Sequence, residues 1–147
     1  MKVSNGIIIA SHGTLIRPQL HDAHLIGIPS DSRMLILARD VEGAVQCIEL
    51  TGIERFRAKD LREGNIILDL SLEAGASVRP EDVAYPYGPT RGSGTEDLPS
   101  GIMERFKSGE LALIRLDPSF WVLVRMHTVC TGIKVVPNGA SDISTLI

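Results

Sequence analysis

The sequence predicts a mainly β domain of the α+β class. The expected architecture is an antiparallel sheet, curled on itself or shaped as an open barrel, of about seven or eight short strands with one or two short helices. Three observations carry this. Apolar and polar residues alternate with a period of two in several places, turn-forming residues separate the apolar runs at short intervals, and few stretches have helical spacing. A length of 147 residues suits one domain over 1–147.

The elements follow in order. Gly6 to Ala10 and His24 to Ile28 are apolar runs of strand length. Met34 to Arg39 and Ala44 to Leu50 flank Asp40-Val41-Glu42-Gly43, which predicts a hairpin. Ala58 to Arg62 reads as a turn of helix stopped at Gly64. Ile66, Leu68, Leu70 and Leu72 alternate with Ile67, Asp69, Ser71 and Glu73, the pattern of a half-buried strand with the leucines inward. Ile102, Met103 and Phe106 have helical spacing, with Ser100 placed to cap and Gly109 to end that helix. Leu111 to Leu116 and Trp121 to Cys130 flank Asp117-Pro118-Ser119, a type I turn signal and a second hairpin. Ile133 to Val136 is a last strand.

The segment 74–100 breaks the rhythm. It holds Gly75, Gly88, Gly92 and Gly94 together with Pro80, Pro86, Pro89 and Pro99. It reads as a long Gly/Pro-rich loop, and loops of that length in a compact domain are mostly functional or disordered. Both tyrosines of the chain, Tyr85 and Tyr87, fall inside it, and Arg91 follows. Large amphipathic rings are favoured at binding surfaces. The candidate binding residues are therefore Tyr85, Tyr87 and Arg91, with another protein as the partner.

Composition excludes other classes. The net charge is −3, and the one basic run, Arg55, Arg57, Lys59 and Arg62, is interleaved with Glu54, Asp60 and Glu63. That reads as a solvated mixed-charge face, so no nucleic-acid partner is expected. No apolar run approaches the length of a membrane span or a signal-peptide core. Cys47 and Cys130 sit in apolar runs and belong to no CxxC pair, as buried free thiols of a cytoplasmic protein would.

Four residues carry the alternative, a small metal-binding or hydrolytic enzyme: His12, His21, Asp22 and His24. The run Ile7-Ile8-Ile9-Ala10-Ser11-His12-Gly13 resembles the start of mannose-type phosphotransferase domains and of small chelatases, in which the His accepts a phosphoryl group or ligates metal. A crossover helix should then follow, but the chain continues Thr14-Leu15-Ile16-Arg17-Pro18 into hairpin patterns. His21 and His24 would share a face on a helix, yet Leu25-Ile26-Gly27-Ile28 favours a strand, which sends them to opposite sides. The same parity separates His127 from Cys130. Gly88-Pro89-Thr90-Arg91-Gly92-Ser93-Gly94-Thr95 looks like a phosphate cradle but lacks the Gly-Lys-Ser/Thr ending. No metal and no cofactor are expected.

A resemblance begins at His21-Asp22-Ala23-His24-Leu25-Ile26-Gly27-Ile28. It continues through Leu50-Thr51-Gly52-Ile53 and Glu63-Gly64-Asn65-Ile66-Ile67-Leu68-Asp69-Leu70 to Asp117-Pro118-Ser119-Phe120. Over residues 21–73 and 110–130 the chain is similar to small bacterial β-rich proteins that include immunity proteins of polymorphic toxin systems. The resemblance implies a bacterial, non-enzymatic protein-binding module and supplies no catalytic residues. A structural domain acting in assembly is the remaining alternative.

Overall fold

The structure, a computed structural model, describes residues 2–3, 7–11, 13, 15–17, 23–27, 34–39, 42–59, 66–88, 95, 98–118 and 125–136. The strands are β1 (Lys2–Val3), β2 (Ile8–Ile9), β3 (Leu15–Arg17), β4 (Ala23–Gly27), β5 (Met34–Arg39), β6 (Val45–Thr51), β7 (Arg55–Lys59), β8 (Ile66–Ala74), β9 (Ala112–Pro118), β10 (Arg125–Cys130) and β11 (Gly132–Val135). The helices are α1 (Pro80–Tyr87) and α2 (Ile102–Lys107), with a 3-10 turn at Gly75–Ser77. The protein is mainly β, as the alternation predicts.

Among the described residues nine strands form one sheet in the order β1-β11-β6-β5-β4-β8-β9-β10-β7, and β2 pairs with β3 separately. Every ladder is antiparallel except that of β1 with β11. The sheet curls strongly. Thr128 on β10 and Met34 on β5 stand far apart in the strand order, yet the Thr128 hydroxyl lies 3.8 Å from the Met34 sulfur across the core. One face of β5, β6, β8, β9, β10 and β11 therefore shares a single core that includes Ile36, Ile48, Leu72, Ile114 and Met126.

The curl has a visible hinge. β6 continues into β7 and β10 into β11, so the two pairs form one bent ribbon. Thr51 pairs with Gly132 on one side of the bend and Arg55 with Val129 on the other. Gly52 makes the corner with φ +60°, and a Cβ there would run into the Thr131 hydroxyl. Only glycine suits both constraints.

The outer face is covered as well. Val83 of α1 with Ile102 and Phe106 of α2 packs on Leu113 and Val129, a second apolar cluster. β9 and β10 are thus buried on both sides, which explains why Leu113, Ile114, Met126, Thr128 and Val129 are all fully inside. Arg105 on α2 pairs with Glu54 and Glu110, tying that helix to the start of β7.

Four local expectations change. Ala58 and Lys59 lie in β7 instead of a helical turn, because the chain keeps register with β10 down to Lys59↔Arg125. β9 runs on through Asp117 and Pro118, paired with β8, past the expected turn. Gly101, with φ 78°, stands at the N-cap of α2 in place of Ser100, while Gly109 does end the helical segment at φ 77°. Within the expected loop 74–100, residues 80–87 are helical. Pro80 occupies the first helical position, where its missing N–H costs nothing, and Glu81 and Asp82 stand in the first turn. Val83, Ala84 and Pro86 are buried, so packing on the sheet decides the conformation.

Candidate functional site

Among the described residues a row of polar side chains lies where α1 packs on the outer face of the sheet, along β7, β10, β9 and β8. Strand pairing sets the floor. Arg57 stands opposite His127, His127 opposite Arg115, and Arg115 opposite Ser71. Four strands thus line up a row of one hydroxyl, two guanidiniums and an imidazole.

Helix α1 answers that row with complementary groups. The Tyr85 ring meets His127 edge-on, with centroids 4.7 Å apart at 64°. The Arg57 guanidinium lies 4.6 Å from the Tyr85 centroid and donates to the carbonyls of Tyr85 and Gly88 at 2.8 and 3.1 Å. Those carbonyls belong to the C-terminal end of the helix, where a cation is favoured. Arg55 approaches the Tyr87 ring at 5.5 Å. At the other end of α1, Asp82 accepts from Arg79 at 2.9 and 3.1 Å and faces Arg115 at 3.8 Å, while Arg115 also pairs with Glu73. The hydrogen bond from Arg79 holds the Asp82 carboxyl below its ordinary value, against the opposing effect of partial burial. Partial burial pushes the Tyr87 phenol up.

A cleft of about 370 Å³ opens beside this network, between the turn at Ala10–Gly13 and the end of β8. Ser11, Glu73, Ser77, Arg79 and Asp82 bring polar groups to it. Gly13 secures the wall, accepting from the Leu72 N–H at 2.8 Å with φ +94°. Of the charged groups of the cleft, Arg79 pairs with Asp82, while Glu73 pairs with Arg115 of the adjoining strand β9.

A different surface lies at the end of the sheet. Among the described residues β7 pairs with β10 alone. Its residues alternate, with Arg55, Arg57 and Lys59 on the side of His127 and Phe56 and Ala58 on the other. Arg55 and Lys59 are exposed, and Phe56 is 43% exposed, the exposed large apolar side chain among the described residues.

The residues singled out from sequence divide as follows. Tyr85 and Tyr87 are brought together with β7, their rings turned onto its arginines. His12, His21, Asp22 and Arg91 lie outside the described residues, and of His24 the backbone alone is described, on β4 opposite Arg39 and Ile66. Among the described residues no three His, Cys, Asp or Glu side chains converge. No helix among them is long and apolar enough to cross a membrane. Cys47 and Cys130 are free and buried in different clusters. Phe56, Asp82 and Arg115 were not singled out. The signal for β7 is present, since Arg55, Arg57 and Lys59 recur with the strand period, but the flanking acids Glu54, Asp60 and Glu63 make the run look like a mixed face.

Comparison with protein-family models, with curated proteins and with solved structures found no match.

Proposed function

We propose that the protein is a non-enzymatic protein-binding module and that β7 is its docking strip. The exposure of Phe56 carries this reading. An aromatic side chain on an edge strand is a large apolar surface beside unsatisfied backbone groups, and edge strands are read by partners through both. The expected interface within 74–100 shifts accordingly, because Tyr85 and Tyr87 serve to hold α1 against the same strand. The resemblance to immunity proteins favours a toxin as the partner. A cytoplasmic setting accords with two buried free thiols.

Affinity capture with the full chain tests the reading. Phe56→Glu should lose a partner that the wild-type chain and Ala76→Glu, a change at an exposed residue of the 3-10 turn, both retain. Melting curves establish that the three are equally folded. Equal retention by all three, or no retention by any, would overturn the assignment.

A further inference from the structure

Resting on that reading, we infer that the occupant of β7 is an extended, acidic segment of the partner, added to the sheet as a strand. Three observations specify it. β7 is a strand of five residues and, among the described residues, has a neighbour, β10, on one side only. In an antiparallel ladder about half of an edge strand's backbone groups point away from that neighbour. These are the groups a tenth strand would take up.

Charge selects the partner. Arg55, Arg57 and Lys59 give β7 three cations and no anion. Cations on an edge are a common guard against self-pairing. A second copy of β7 laid antiparallel would set Arg55 against Lys59, and like charges directly opposite are destabilising. The same strip attracts carboxylates. A strand that merely guards its edge gains nothing from an exposed phenyl ring, so Phe56 distinguishes a docking strip from a defended one.

The alternation then fixes the pattern of the occupant. Acidic residues at every second position would stand on the face of Arg55, Arg57 and Lys59, with the exposed Arg55 and Lys59 as their charge partners, and apolar residues between them beside Phe56 and Ala58. Cross-strand neighbours at that spacing touch directly. Arg55 and Arg57 are already oriented by the rings of Tyr87 and Tyr85, so part of the ordering cost is met before binding.

Synthetic peptides test this on the full chain. The probe alternates Glu and Val over the length of β7. Its comparators are the same composition with the residues blocked together, a Lys/Val version, and the Glu/Val peptide N-methylated at alternate amides. The Glu/Val peptide should bind, weaken at high salt, and slow hydrogen exchange at the β7 amides. N-methylation should weaken it about tenfold or more by removing the ladder. Equal binding of the N-methylated peptide would overturn strand addition. Equal binding of the Lys/Val or the blocked peptide would overturn charge and pattern selection. If no peptide binds while capture still depends on Phe56, this inference fails and the binding-module reading stands. If capture is also indifferent to Phe56, both fail.

Discussion

Arg57 lies across the ring of Tyr85, 4.6 Å from its centroid, while donating to the Tyr85 carbonyl at 2.8 Å. A strand side chain thus grips both the ring and the backbone of one helical residue, with Gly88 as a third point of attachment. Arg57→Lys should loosen α1, because an ammonium cannot stack and fork in this way. We expect a loss of about 1–2 kcal/mol from one or two hydrogen bonds and the ring contact. Hydrogen exchange should quicken in α1 before it does in β9. Equal acceleration in both would show that Arg57 supports the whole fold instead of the helix.

Asp82 makes stability depend on acid. Its carboxyl is held low in the folded chain, chiefly by the hydrogen bond from Arg79. Below that lowered value both states are protonated. Between it and the ordinary carboxylate value, about 3.9, the unfolded chain binds the proton more readily. The contribution is therefore complete above the ordinary value and lost as pH falls through the folded one. Asp82→Asn should melt earlier than wild type at neutral pH, and the gap should narrow below about pH 4. A gap independent of pH would assign the effect to packing.

The thiols should be silent. Burial pushes Cys130 up to about 11, and burial together with Glu49 raises Cys47. Since the thiolate is the reactive form, a disulfide-exchange reagent at neutral pH should react slowly with folded protein and with both thiols after denaturation. Rapid reaction of one thiol in the folded chain would contradict the placement of that residue.

The alternation was legible, and over 69–73 so was its consequence, while the side chains of Ile66 and Leu68 lie outside the described residues. Leu70 and Leu72 join the inner core as the period of two requires, while Ser71 and Glu73 face α1 and the cleft. The 34–50 hairpin was equally plain, because its turn residues and strand faces agree. Helix α1 was not. Pro80, Pro86 and Gly88 count as breakers, yet Pro80 starts a helix and Gly88 follows its end. What decides for a helix is burial of Val83 and Ala84 on a distant strand, and no local pattern reports that. The row of Arg57, His127, Arg115 and Ser71 was hidden for the same reason, since only the register of three ladders aligns it.

Leu70→Ala should cost about 2–5 kcal/mol, the range for a fully buried leucine that leaves a cavity. Leu70 is 2% exposed within the inner core. A loss under about 1 kcal/mol in denaturant melts would mean that the site collapses around the vacancy and the core is softer than described.

Gly52→Ala should be destabilising for two separable reasons. The positive φ strains any L side chain, and the Thr131 hydroxyl occupies the space of the new methyl. Adding Thr131→Ala should recover part of the loss and leave about 1–3 kcal/mol of backbone strain. No recovery in the double variant would remove Thr131 from the explanation.

The bent ribbon at Gly52 and Thr131 also dictates an order of assembly. The β5–β6 hairpin joins near neighbours, and its closure costs little entropy. The ribbon joins Thr51 to Thr131, 80 residues away in sequence, and such closures come at greater entropic cost. Until residues near 130 arrive, β6 lacks β11 and β7 lacks β10. The seam between the two halves of the sheet is therefore the kinetic latch of the molecule. A nascent chain carries β7 without β10 beside it, and like charges at Arg55, Arg57 and Lys59 disfavour its pairing with a second copy in that interval.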